Sequence, residues 1–126
     1  MTAIPKRPAD RNPRLLELAR GEDCAVRAPG GACDPATTVW AHSNALAANK
    51  GKGYKSSDSA GVLACYRCHA MIDQPGPSDP GPQERERLWD RAYEATTDRL
   101  RVIAQTLTMK PWKVAAARWA LERRAK

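Results

Sequence analysis

The sequence has no phenylalanine, only two histidines and no long apolar run. Alanine accounts for 22 of its 53 hydrophobic residues, so 31 larger apolar side chains remain to build a core. No stretch approaches the roughly 18 consecutive apolar residues of a membrane span. The charged first residues contain no apolar segment of the kind found in a secretory signal. We therefore expect a small cytoplasmic protein, not a membrane protein, a collagen or a disordered chain.

The 126 residues are enough for one domain with an appendage. A core this thin usually requires a metal ion, disulfides or a partner chain. Changes in composition along the chain predict four parts. These are a loose N-terminal arm (1–12), a compact core (13–74), a Pro/Gly linker (75–82) and a helical C-terminal part that packs on the core (83–126).

Apolar side chains in the C-terminal part recur every three or four residues, which predicts a helix over residues 83–107 with one apolar stripe. The stripe consists of Trp89, Tyr93, Thr96, Leu100, Ile103 and Leu107. Pro111 favours the start of a final helix. Because the stripe needs a surface to cover, it either packs on the core or forms a homodimer.

The net charge of +7 is concentrated at one end of the chain. Residues 1–98 contain 13 basic and 13 acidic side chains, whereas residues 99–126 contain eight basic side chains and one acidic. A basic tail on a neutral body favours DNA as a partner through phosphate neutralisation, although a solvated helix face would explain the same charges. The side chains expected to contact DNA are Lys50, Lys52, Lys55, Arg67, Lys113, Arg118, Arg123 and Arg124.

The four cysteines form two pairs, Cys24 with Cys33 and Cys65 with Cys68. The second pair is a C-x-x-C motif, whose two thiolates can bind one metal ion. The first pair would complete a four-thiolate site, which Zn²⁺ usually occupies. Disulfides, a redox-active dithiol and free thiols are the alternatives, but neither an export signal nor a βαβ pattern supports the first two. We predict a structural zinc ion that compensates for the thin core.

Both histidines lie close to this predicted zinc site in the sequence. His42 follows a β-prone run, and His69 follows Cys68 at the start of a helical stretch. On a helix, His69 and Asp73 project from one face and can hold Mg²⁺, Mn²⁺ or Zn²⁺. The alternatives are a histidine that caps its own helix or one that replaces a cysteine as zinc ligand.

The order of the predicted elements is a strand ending at His42, a long loop, a second strand and the helix with His69. This is a ββα-metal arrangement, in which the first histidine is a general base for water and the helix holds a metal ion. Phosphodiester hydrolysis needs both components.

The run Cys65-Tyr66-Arg67-Cys68-His69, preceded by a histidine after a strand, resembles the HNH (His-Me finger) nucleases. More closely, the segments LLELARGEDCAVRAPGGACDPATTVWAHSN and ACYRCHAMID are similar to the YbcO-type family of small prophage proteins, to which nuclease activity is assigned by inference. The similarity covers about residues 13–107, whereas residues 113–126 look like an addition.

The resemblance implies an α+β, zinc-bound, HNH-like fold and a DNA nuclease acting in the host cytoplasm if the gene belongs to a phage. His42 would match the general base, and Asp58 would stand near the family's central asparagine, which orients that base. His69 would match the metal-binding histidine of the helix, and Asp73 a second ligand of the catalytic cation. The four cysteines would match the structural zinc site.

Two positions depart from the HNH pattern. Ala41 stands where many members have a further metal ligand, and Asp58 replaces an asparagine. Two other functions therefore stay open. One is a non-catalytic zinc module that binds nucleic acid in recombination or replication, and the other is an adaptor that forms a homodimer or docks on a phage enzyme.

Overall fold

The computed structural model describes residues 11–30, 33–42 and 57–124. In these ranges the order of elements is α1 (Arg14–Ala19), β1 (Val39–Ala41), β2 (Val62–Ala64), α2 (Tyr66–Asp73), α3 (Pro82–Gln105) and α4 (Pro111–Arg124). Two short 3₁₀ turns, Pro35–Thr37 and Asp58–Ala60, precede the two strands. The mixed helix and strand content predicted from the sequence is confirmed. No helix in the described ranges has the length and apolarity to cross a membrane.

Prolines mark the starts of three of these helices. Pro13 immediately precedes α1, and Pro82 and Pro111 are the first residues of α3 and α4. Proline suits this position because its fixed φ is helical and its missing N–H would have no partner there. The Asn12 side chain accepts a hydrogen bond from the Arg14 N–H at 3.1 Å. Gly21, with φ at +79°, supplies the left-handed turn after α1.

The two strands form an antiparallel sheet in which Trp40 lies opposite Leu63 and Ala41 lies opposite Val62. Side chains alternate between the two faces of a strand, so Trp40 and Leu63 point to one face while Ala41 and Val62 point to the other. The backbone groups of Leu63 on the outer edge of β2 also have hydrogen-bond partners. The Leu63 N–H donates to Thr96 Oγ1 on α3 at 3.1 Å, and its carbonyl accepts from the Ala25 N–H at 2.8 Å.

Each face of the sheet is covered by a separate group of buried side chains. We call the first group the cysteine-side cluster: Cys24, Val26, Ala28, Ala41, Val62, Ala64, Cys65, Cys68, Met71, Ile72, Leu88 and Ala92. We call the second the helix-side cluster: Leu15, Leu18, Ala19, Trp40, Leu63, Leu100, Ile103, Ala116, Ala117 and Ala120. Helix α3 contributes side chains to both clusters, and α4 contributes side chains to the helix-side cluster.

The apolar stripe of α3 is displaced from the predicted one. Its buried positions are Leu88, Ala92, Thr96, Leu100 and Ile103. Trp89 and Tyr93 are only partly buried beside the cysteine-side cluster. Leu107 was wrongly included, because α3 ends at Gln105 and the Leu107 side chain is 100% exposed. The small Ala92 is fully buried in the cysteine-side cluster, whereas its larger neighbour Tyr93 only packs against the edge of that cluster.

Candidate functional site

The four cysteines come together although they lie in three separate parts of the chain. Cys24 and Cys33 belong to the segment between α1 and β1, Cys65 follows β2, and Cys68 is in the first turn of α2. Their sulfur atoms all lie within 4.8 Å of one another, and the Cys33 and Cys68 Sγ atoms are 3.8 Å apart. A tetrahedral ion with metal–sulfur bonds of about 2.3 Å requires sulfur atoms about 3.8 Å apart. The cysteines therefore fit one tetrahedral metal ion, and all four are free of disulfides.

The proximity of the thiols shifts the pKa values of Cys24 and Cys68 in opposite directions. A hydrogen bond from Cys68, supported by backbone N–H groups and opposed by burial, lowers the pKa of Cys24 to about 4. The same contact, together with burial, raises the pKa of Cys68. Cys24 thus forms a thiolate readily, while Cys68 keeps its proton more strongly, and a bound cation would displace that proton.

Two arginines next to the cluster donate hydrogen bonds to its sulfur atoms. Arg67 Nη2 lies 3.7 Å from Cys33 Sγ and donates to the Ala28 carbonyl at 2.9 Å. The backbone N–H of Arg27 donates to Cys24 Sγ at 3.5 Å, and Arg27 has a left-handed φ of +48°. Such N–H donors stabilise bound thiolates. The Arg67 side chain, expected to contact DNA, is engaged at the cysteine cluster.

The predicted general base lies directly after β1 and faces the predicted orienting residue. His42 Nε2 is 3.5 Å from Asp58 Oδ1, and the two side chains are 29% and 17% exposed. The second carboxylate oxygen, Oδ2, accepts a hydrogen bond from the backbone N–H of Asn12 at 2.6 Å. The fold therefore brings Asp58 to His42, as the resemblance implies, although 15 residues of sequence separate them.

Trp40 and Gly61 hold Asp58 in place, a role that our sequence analysis did not identify. The Trp40 indole Nε1 donates to the Asp58 carbonyl at 2.7 Å. A Cβ atom at Gly61 would overlap the Trp40 ring, so only glycine lets the indole approach this closely. The glycine directly before an apolar strand was the available sequence signal, since it often marks a close approach of another group to the backbone.

The second pair, His69 and Asp73, lies on one face of α2, four residues apart as predicted. Their Nε2 and Oδ2 atoms are 3.0 Å apart, and the side chains are 36% and 24% exposed. Two adjacent ligands of an octahedral cation with bonds of about 2.1 Å would stand about 3.0 Å apart. Asp73 Oδ1 is buried and has no hydrogen-bond partner in the described part of the chain. The pair is thus compatible with cation binding as well as with a direct hydrogen bond.

Within the described residues, the four cysteines are the only group of three or more His, Cys, Asp or Glu side chains close enough to hold a metal ion. A catalytic cation at His69 and Asp73 would therefore have two protein ligands. Ala41, at the position of the further ligand in many HNH proteins, is buried and contributes to the cysteine-side cluster.

The basic residues expected to contact DNA are in different situations. Lys50, Lys52 and Lys55 lie outside the described residues. Lys113 Nζ is 3.4 Å from the buried Glu22 carboxylate, which also accepts hydrogen bonds from Arg99. Lys113 therefore stabilises the contact between α4 and the segment after α1.

Of the three arginines expected to contact DNA on α4, Arg124 makes the most contacts within the protein, whereas Arg123 and Arg118 each donate to one backbone carbonyl, of Trp119 at 3.1 Å and of Ala104 at 3.5 Å. The Arg124 guanidinium donates to backbone carbonyls and to one hydroxyl of neighbouring elements. Arg124 is therefore engaged within the protein, and its contact with DNA stays a prediction. Arg123 stacks on Trp119, 4.1 Å from the ring centroid, and Arg118 is exposed. Arg118 is the one of the three that best suits a surface contact.

Comparison with known proteins gives two findings. The family model "Putative nuclease YbcO" matches residues 14–106. Two curated proteins, "Putative nuclease YbcO" of Escherichia coli (strain K12) and "Putative nuclease ybcO" of Enterobacteria phage 82, are each 42% identical over 62 residues. The matched segment covers 48% of this chain and 62% of each relative's length. No solved structure matches.

Proposed function

The chain belongs to the YbcO family, and from that premise we propose that it is a metal-dependent, HNH-like nuclease that hydrolyses DNA phosphodiester bonds. The supporting observation is the pairing of each histidine with a carboxylate, His42 with Asp58 and His69 with Asp73. His42 directly follows β1, Asp58 lies in the turn before β2, and His69 and Asp73 lie on α2, the helix that follows β2. The four-cysteine cluster, beside the same helix, would hold a structural Zn²⁺.

In this proposal, His42 removes a proton from the attacking water. A proton on Nε2, which faces the Asp58 carboxylate, makes Nδ1 the basic nitrogen of the imidazole. Asp58 would fix the orientation of the ring and stabilise the imidazolium that forms. The water oxygen bonds to phosphorus, one phosphorus–oxygen ester bond breaks, and the leaving oxygen takes a proton from solvent.

His69 and Asp73 would hold the divalent cation. When bound, this ion offsets the negative charge that develops on the phosphate and the leaving oxygen. With Ala41 supplying no ligand, His69 and Asp73 would share the coordination sphere with water and the substrate phosphate. Mg²⁺ binds in this way in many phosphate-processing sites, with one or two carboxylates and several waters.

Cleavage of supercoiled plasmid with Mg²⁺ or Mn²⁺ tests the proposal. We expect His42→Ala to lower the single-turnover rate about 100- to 10,000-fold, the usual contribution of a general base. Its DNA affinity and its metal content should equal those of the wild type. His69→Ala is the matched histidine control, and it should instead raise the concentration of Mn²⁺ needed for half-maximal cleavage.

A non-catalytic zinc module that binds nucleic acid is the second candidate, and the alanine at position 41 favours it. Binding of plasmid, single-stranded and branched DNA without cleavage of any of them would select this candidate. Equal cleavage by His42→Ala and the wild type would instead contradict the assignment of the base.

A further inference from the structure

The last residue of α4, Arg124, is tied through its guanidinium to α3 and to the segment from Ser59 to Gly61. Nη1 donates to the carbonyls of Ser59 and Gly61, each at 2.8 Å. Nη2 donates to the Tyr93 carbonyl at 2.7 Å, and Nε donates to Thr97 Oγ1 at 2.8 Å. The guanidinium carbon also lies 3.7 Å from the centroid of the Tyr93 ring. Four of the five N–H donors of an arginine can be accounted for by these contacts.

These contacts involve no carboxylate, which is unusual for a guanidinium in this position. Burial lowers the pKa of Arg124 to about 10, so the group keeps its charge at neutral pH. A charge withdrawn from water is retained only when hydrogen bonds compensate for its lost hydration. The four acceptors supply that compensation, and their geometry requires the planar fork of an arginine.

Two of the acceptors, the Ser59 and Gly61 carbonyls, lie within and directly after the turn that begins with Asp58. The 3₁₀ turn Asp58–Ala60 begins with Asp58 and is followed by Gly61. Trp40 fixes the Asp58 carbonyl at the start of this turn, while Arg124 fixes the carbonyls after it. The turn is therefore held at both ends, and its first side chain faces His42.

Helix α4 lies beyond the region that the family model matches, which ends at residue 106. The segment that supplies Arg124 is thus not part of the shared family region, whereas the turn to which it binds is. A segment with this position either stabilises the fold in general or acts on the site.

We propose that Arg124 is a positioning residue, which clamps the Asp58–Ala60 turn and thereby holds Asp58 against His42. The C-terminal helix then serves to position a residue of the candidate active site and not as a DNA-binding tail. This inference rests on the proposed nuclease function for its catalytic consequence, but the clamp itself can be tested without any substrate.

The backbone N–H of Asn12 is a suitable reporter, because it donates to Asp58 Oδ2 and none of the Arg124 contacts above involves it. Its NMR chemical shift and hydrogen exchange therefore report where the carboxylate lies. The amide of Leu100, fully buried within α3, reports global stability. Arg118→Gln is the matched control, since it removes the same charge from an exposed position on the same helix.

We expect Arg124→Gln to accelerate exchange of the Asn12 amide at least about tenfold relative to the Leu100 amide, in line with the loss of several charged hydrogen bonds. Arg124→Lys should give a smaller effect, because lysine keeps the charge without the fork, and it also serves if the glutamine variant does not fold. Arg118→Gln should leave both amides unchanged. In cleavage assays, Arg124→Gln should lower kcat about tenfold with little change in KM, as expected for a lost positioning contact.

Two results in Arg124→Gln would overturn the clamp. One is a proportional change in the exchange rates of the Asn12 and Leu100 amides, and the other is an unchanged exchange rate of the Asn12 amide in the folded variant. If Arg124→Gln displaces the Asn12 amide signal but the wild-type protein cuts no DNA, the result would support the clamp and contradict the nuclease. A displaced amide with unchanged kcat would contradict the catalytic role of the clamp.

Discussion

The two faces of the small sheet differ in how they are stabilised. The cysteine-side cluster consists mainly of alanine, valine and three of the four cysteines, with few large side chains. The helix-side cluster contains leucines, an isoleucine and Trp40, packed by α1, α3 and α4. Small side chains bury little apolar area, so we expect the first face to depend on metal binding and the second on packing. His69 and Asp73 lie on α2, which contributes to the first face, whereas the turn that carries Asp58 contacts Trp40 and α4 of the second.

Replacing one cysteine should have the largest effect, and it should affect the cysteine side of the sheet. We expect Cys68→Ser to abolish stoichiometric zinc and to unfold the cysteine side, because structural zinc contributes on the order of 10 kcal/mol or more to such sites. Elemental analysis gives the metal content, and near-ultraviolet circular dichroism gives the loss of packing. Full native structure in a metal-free Cys68→Ser protein would contradict the metal dependence of this face.

A cavity on the opposite face should have a smaller and purely local effect. Ile103 is fully buried in the helix-side cluster. We expect Ile103→Ala to lower the free energy of unfolding by about 2–5 kcal/mol and to leave the metal content unchanged. Urea denaturation measures the first quantity. Loss of metal in this variant would show that the two faces do not fold as separable parts.

An ion pair connects the helix side to the segment that leads to Cys24. Burial tends to raise the pKa of Glu22, but hydrogen bonds and charges from Arg99 and Lys113 outweigh it and lower that pKa below its ordinary value of 4.5. The stabilisation is therefore present above about pH 4.5 and is lost as the pH falls through the lowered pKa. We expect Glu22→Gln to cost about 1.5–3 kcal/mol at pH 7.

The difference in unfolding free energy between Glu22→Gln and the wild type should then shrink as the pH falls below 4.5. Denaturant titrations at pH 7 and at several acidic values measure it. A difference that grows on acidification would have the wrong sign and would contradict the ion pair.

The smallest effect is expected on the outer surface of α4. Arg118→Gln removes one exposed charge, so it should lower the slope of log K against log salt for DNA binding by less than about 1 and weaken binding only slightly. Fluorescence anisotropy over a range of salt concentrations measures this slope. A loss of most of the affinity would mean that α4, and not the face with the two histidines, is the main DNA contact.

The sequence was sufficient for the features that depend on local chemistry. Pro111 marked a helix start, the spacing of Cys65 and Cys68 indicated a metal site, and the four-residue spacing placed His69 beside Asp73. Each of these follows from residue type and short-range geometry.

The features that the sequence did not reveal depend on contacts between distant segments. Arg124 looks like any basic tail residue until α4 lies against the turn Asp58–Ala60. The role of Trp40 likewise needs Gly61 beside it. Such contacts are set by tertiary packing, so neither the periodicity of apolar residues nor the distribution of charge along the sequence predicts them.

The central claim is that His69 and Asp73 form a cation site separate from the cysteine cluster. Anomalous diffraction from crystals of the zinc-loaded protein soaked in Mn²⁺ tests it most directly. We expect zinc at the four cysteines and Mn²⁺ about 2.1–2.2 Å from His69 Nε2 and an Asp73 oxygen, with the Mn²⁺ peak lost in His69→Ala. Zinc at the cysteines with no Mn²⁺ at this pair would contradict it.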